Sequence, residues 1–140
     1  MASHSIFKVA ALTSVFLLSA LRLAAAAPEG PFGSWLAEDI RGAGVIDRSR
    51  TTLDISPAGR ASGSGGCNRF QGAAKIAGAA IAFGPLVSTR MACPGAIGDQ
   101  ERKFFEALDD ARQWTRDEQR GLLFLRDADG REILRLSETK

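Results

Sequence analysis

Two cysteines carry the chain's strongest claim to chemistry. Cys67 sits in Gly63-Ser64-Gly65-Gly66-Cys67-Asn68-Arg69-Phe70-Gln71-Gly72, and Cys93 closes Ser88-Thr89-Arg90-Met91-Ala92-Cys93-Pro94. A thiol becomes a nucleophile when nearby positive charge lowers its pKa, and Arg69 and Arg90 are the candidates to do so. The spacing is not Cys-x-x-Cys, which argues against thioredoxin-like exchange. An even pair in an exported chain is most simply a structural disulfide, with buried free thiols as the other reading. Closing a loop of this length stabilises a fold by roughly 3–4 kcal/mol in a chain-entropy account.

The other catalytic patterns are weak. The single histidine is His4, near the N-terminus. Without another, neither a Ser-His-Asp triad nor a Cys-His dyad can be assembled downstream, and the commonest ligand of catalytic zinc is missing. Gly63-x-Gly65 begins like a dinucleotide fingerprint, but position 68 is Asn where glycine is needed, and no Lys-Ser or Lys-Thr follows for a P-loop. Gly65 and Gly66 are better read as room for a bulge beside Cys67, with Asn68 bonding the local backbone. Glu38 and Asp39, like Asp109 and Asp110, are adjacent in sequence and so diverge, which makes poor acid–base couples. Asp127 and Asp129 lack the remaining ligands of a calcium loop, and turn chemistry accounts for them. Thr89, Arg90 and Met91 read either as an exposed binding edge or as packing beside Cys93. No cofactor is expected.

Residues 1–26 have the form of a cleaved secretory leader. Lys8 precedes an apolar run from Val9 to Leu21, and small alanines follow, with cleavage expected near Ala26. Arg22 interrupts the run, which is short for a membrane span. Membrane contact is therefore expected only through an uncleaved leader, if at all. No cysteine near the exit offers a lipid attachment point. The destination is read as the periplasm or the outside of the cell. Of 18 Lys+Arg, the leader takes Lys8 and Arg22, so 16 bases face 16 acids in the remainder. A near-neutral domain without a basic stripe is a poor nucleic-acid binder.

The elements that must position these residues read as one α+β domain over 33–137, after a Pro/Gly-rich linker over 27–32. A first strand spans Gly33 to Arg41. Thr51 to Ser56 alternates at strand period, Pro57 to Arg60 turns, and a second strand of that hairpin enters the glycine run. Ala73–Ile76 and Ala80–Phe83 form another pair about Ala77-Gly78. A short strand from Leu86 to Arg90 runs towards Cys93. Asp99 is the expected N-cap of a helix over Gln100–Arg112, with Ile97, Phe104, Phe105, Leu108 and Ala111 near one face. Leu122–Leu125 and Ile133–Leu136 close a final hairpin about Asp129-Gly130. About six strands, one helix and two or three strands, joined by short turns, predict a mainly antiparallel sheet or partly closed barrel with one packed helix.

The chain also resembles the META (HslJ-like) domain family. The likeness rests on Trp35, Leu53 and Gly59, Gly65-Gly66-Cys67-Asn68-Arg69-Phe70-x-Gly72, Thr89-x-Met91-Ala92-Cys93, Glu101 with Phe105 and Leu108, and the final hairpin. It covers about Phe32 to Leu136. It implies a compact β fold with one helix, in an envelope protein tied to stress response or antibiotic tolerance. It supplies no catalytic residue. The expected function is thus a non-enzymatic, exported, monomeric domain that binds a protein or small molecule. The alternative is a secreted inhibitor or pilotin-like chaperone that clamps one protein partner.

Overall fold

A computed structural model of the chain describes residues 29–140, and the expected leader over 1–26 lies outside them. Six strands precede the helix: β1 (Gly33–Ile40), β2 (Thr52–Ser56), β3 (Arg60–Ser64), β4 (Arg69–Ala77), β5 (Ala80–Phe83) and β6 (Val87–Ser88). Then come α1 (Gly95–Asp110), β7 (Gln113–Asp117), β8 (Leu122–Arg126) and β9 (Glu132–Glu138). The sheet order is β3-β2-β1-β9-β8-β7-β5-β4-β6, and an additional β3–β4 pairing closes eight strands into a barrel. Every pairing is antiparallel. The expected α+β class is what forms, the sheet or partly closed barrel being a closed one, with one packed helix among the described residues.

Alternation puts the core inside. Leu53 and Ile55 on β2, Leu123 and Leu125 on β8, and Trp35 and Ala37 on β1 are buried. Two bulges alter the parity. On β1 the register steps from Ala37↔Leu136 to Asp39↔Arg135, so Glu38 is the extra residue and Ile40 turns inward. Between β8 and β9 the register passes from Leu125↔Leu134 to Arg126↔Glu132, which leaves Ile133 unpaired and lets Ile133 and Leu134 both face the core. A bulge re-aims side chains in just this way. Trp35, fully buried, donates its indole N–H to the Pro31 carbonyl at 2.9 Å, so the polar end of the ring is satisfied.

The barrel wall is thin at one seam. β5 meets β7 at a single residue pair, Ala80↔Gln113. Flanking bonds from Ile81 N–H to the Arg112 carbonyl and from Trp114 N–H to the Ala79 carbonyl, both 3.0 Å, support it. Helix α1 packs against β1, β5 and β9. Phe104, Ala107 and Leu108 enter the common core, and Phe70 meets Phe104 and Phe105 edge-on at 5.8 and 5.5 Å. Burying a ring such as Phe104 contributes about 1.5–3 kcal/mol.

The helix starts earlier than the sequence suggests. Pro94 is the N-cap, and Asp99 lies inside the helix, paired weakly with Arg102 at 3.7 Å. Proline's fixed φ suits a helix start. Gly98 lets the first turn pass close to Cys93, since a Cβ there would lie 2.8 Å from the Cys93 carbonyl oxygen. The strand expected over Leu86–Arg90 is reduced to Val87–Ser88: the Thr89 hydroxyl takes the Arg69 N–H in place of its carbonyl, and the Met91 N–H turns to Asn68.

Candidate functional site

The two cysteine runs meet beside the start of α1. Cys67 and Cys93 are disulfide-bonded, with Cα atoms 6.1 Å apart, and among the described residues no cysteine is free. The reactive-thiol reading of Cys67 therefore does not describe this state. Cys67, Cys93 and Glu101 place ligand-type atoms within 4.8 Å of one another. With the sulfurs bonded to each other, the cluster offers no thiolate to a metal.

Glu101 organises the assembly. It is buried. One carboxylate oxygen accepts the Cys67 N–H at 3.0 Å and the Asn68 N–H at 2.5 Å, and the other accepts the Asn68 side-chain N–H at 2.6 Å. Charge-assisted bonds of this kind are the strong ones. The close approach explains Gly65: a Cβ there would lie 2.6 Å from Glu101 Cγ and 2.7 Å from its Oε2.

Asn68 then reaches the second run. Its Oδ1 accepts the Met91 N–H at 2.7 Å and the Thr89 hydroxyl at 2.9 Å, while its Nδ2 also faces the Met91 carbonyl at 3.3 Å. The Thr89 hydroxyl in turn accepts the Arg69 N–H at 3.1 Å. Asn68 was expected to bond local backbone; instead it spans more than twenty residues of sequence. The neighbouring Gln100 does the same for the loop after β1. Its Oε1 accepts the Ile46 N–H at 2.7 Å, and its Nε2 donates to Ser49 Oγ at 2.7 Å and Thr51 Oγ1 at 3.2 Å.

Glu101 and Gln100 were missed as site residues by sequence reasoning, though a signal was present. Helical spacing puts both on the stripe of Phe104 and Leu108, where a buried polar pair demands partners.

Of the residues singled out, Cys67, Cys93, Asn68 and Thr89 are joined in this network. Arg69 and Arg90 are exposed and make no ion pair among the described residues. Val87 and Met91, 68% and 59% exposed, stand out as large apolar side chains in solvent. Two open grooves flank the Val87–Ser88 segment. One, about 430 Å³, runs over the outer face between Asp54, Ser62, Arg69, Gln71 and Thr89. The other, about 460 Å³, lies between Phe83–Ser88 and the Phe105–Asp109 side of α1. The adjacent acids diverge as expected: Asp39 accepts the Gly42 and Gly44 N–H groups, while Glu38 points to Arg135 at 3.8 Å. Asp127 accepts the Asp129 and Arg131 N–H groups, as turn chemistry requires. Among the described residues no helix is long and apolar enough to cross a membrane.

No curated protein matches the chain. Among solved structures, a protein from Burkholderia xenovorans determined by NMR is 24% identical, with a TM-score of 0.63 over 96% of this chain and 99% of that one. Another NMR structure is 23% identical, with a TM-score of 0.59 over 75% of this chain and 87% of the other. A DUF4847 family protein from Bacteroides vulgatus is 14% identical, with a TM-score of 0.55 over 77% and 93%. These likenesses establish the fold alone. The META domain matches residues 31–140, and with the barrel, the packed helix α1 and the joined cysteine runs all in place, the chain belongs to the META domain family.

Proposed function

We propose that the protein is an exported, non-enzymatic binding module of the cell envelope, acting in stress response or antibiotic tolerance by holding a protein or small ligand. The observation that carries this reading is the surface beside the disulfide. Val87 and Met91 expose apolar side chains on a segment pinned by Asn68, Glu101 and the bridge, and Arg69 and Arg90 flank them. Apolar side chains held out on a pinned segment suit partner binding, because little ordering entropy remains to be lost on association. The donors and acceptors of Asn68 and Glu101 are committed to each other, to the Thr89 hydroxyl and to backbone, which suits holding a surface better than moving protons. The bridge is compatible with an oxidising compartment.

The test is crosslinking from position 87 or 91 in a periplasmic extract, with the purified oxidised domain run in parallel against hydrolase and transferase substrates. A saturable crosslink lost on Val87→Asp/Met91→Asp supports the reading. Turnover at an enzyme-like rate overturns it. One stoichiometric protein partner would favour the inhibitor or chaperone form, which the free strand edge at β6 also supports.

A further inference from the structure

We infer that β6 and the groove beside α1 form a docking slot for one extended peptide segment of a partner protein, added as a strand to the barrel edge. The inference rests on the binding-module reading and names the partner's chemistry. β4 has β3 on one side; on the other it pairs first with β6 and then with β5. Gly84 N–H donates to the Ala73 carbonyl at 2.9 Å and Thr89 N–H to the Arg69 carbonyl at 3.0 Å, so both face β4. In an antiparallel ladder the bonding direction alternates. Leu86 and Ser88 thus turn their peptide groups away from β4, and both line the groove against α1. Natural edges are blunted by charge or proline. Here Pro85 blunts only the approach, and the edge itself carries Val87, 68% exposed.

The groove specifies its occupant. Hydrogen-bonding edge groups call for a peptide backbone, and β-strand addition satisfies them. Phe83, Leu86 and Phe105 favour apolar residues at alternate inward positions. Val87 favours a β-branched neighbour on the outward side. Asp109 lines the groove and makes no ion pair among the described residues, whereas Arg69 and Thr89 line the other groove, over the outer face. The segment therefore carries Lys or Arg at the Asp109 end.

The experiment uses the oxidised protein and a fluorescent heptapeptide, Asp-Thr-Val-Thr-Leu-Thr-Lys, with an array of its single-position variants. Ser88→Pro removes the outward N–H without touching the β4 ladder, a position where edge proline is tolerated. Binding to the peptide or an array variant is expected, weakened about tenfold or more by Ser88→Pro and by N-methylation at alternate peptide residues. Asp109→Lys should shift preference from Lys-ended to Glu-ended peptides. Thermal unfolding of each variant checks that the fold is intact. Peptide binding indifferent to Ser88→Pro and N-methylation overturns the slot while leaving the binding-module reading standing, as does concentration-dependent dimerisation abolished by Ser88→Pro. No binding across the array at about 1 mM also overturns it, and crosslinking at 87 and 91 then tests the wider reading separately.

Discussion

Replacing Glu101 by glutamine keeps its shape and removes its charge, which isolates what the buried carboxylate does. Two backbone N–H groups share one oxygen, and the Asn68 side chain donates to the other. A glutamine has one oxygen. Placed towards Cys67 and Asn68 N–H, it turns its own NH2 on the Asn68 NH2, donor against donor. Asn68 cannot flip to relieve this, because its Oδ1 already accepts the Met91 N–H. Downgrading two charged bonds costs about 1 kcal/mol each, and a buried amide left unsatisfied adds about 1–3 kcal/mol. The sum, about 4 kcal/mol, is a large share of a small domain's stability. It corresponds to a Tm lower by roughly 15–25 °C. The assay is urea and thermal unfolding of the oxidised domain, followed by tryptophan fluorescence. Glu106→Gln, which breaks only an exposed pair with Arg102, serves as control and should cost under about 0.5 kcal/mol. A loss under about 1 kcal/mol for Glu101→Gln would refute the central place given to this carboxylate.

Reduction of Cys67–Cys93, which spans 26 residues, should lower stability by roughly 3.5 kcal/mol, read as a shift in urea midpoint. Gly63→Ala should abolish soluble expression, because φ is +151° and a Cβ would overlap the Thr52 carbonyl oxygen. Gly78→Ala, at φ +57° with open space around it, should cost only about 1–2 kcal/mol of backbone strain. Burial pushes the Asp127 carboxyl up, but the Arg131 N–H and guanidinium and the Asp129 N–H outweigh it and hold it below its ordinary value. A lowered folded pKa contributes stability above the unfolded value and loses it as pH falls through the folded one. Asp127→Asn should therefore be less stable at neutral pH and show a shallower loss on acidification, measured by unfolding at pH steps below about 4.

The barrel was largely legible because it follows local rules. Leu53 and Ile55 alternate, Asp129-Gly130 turns, and helical spacing joins Phe104 to Leu108. What escaped depends on distant partners. Nothing local to Gln100-Glu101 says that a buried amide and carboxylate will be met by Ile46, Thr51, Cys67 and Asn68. The early helix start was hidden because Pro94 caps without a side-chain bond while Asp99 offered the better local signal. The short β6 escaped because the Met91 N–H is taken by Asn68, a contact over twenty residues away. The bulges at Glu38 and Ile133 were likewise set by register with a partner strand.

The first and last strands are neighbours. Trp35 stands opposite Glu138, and Thr139 N–H donates to the Ser34 carbonyl at 2.9 Å. Entry to and exit from the barrel thus lie side by side, at the opposite edge of β1 from its β2 hairpin. A short linker could join them without altering a core contact. By the same geometry the whole barrel could be carried within a surface loop of a host protein, its two attachment points no wider apart than a pair of adjacent strands.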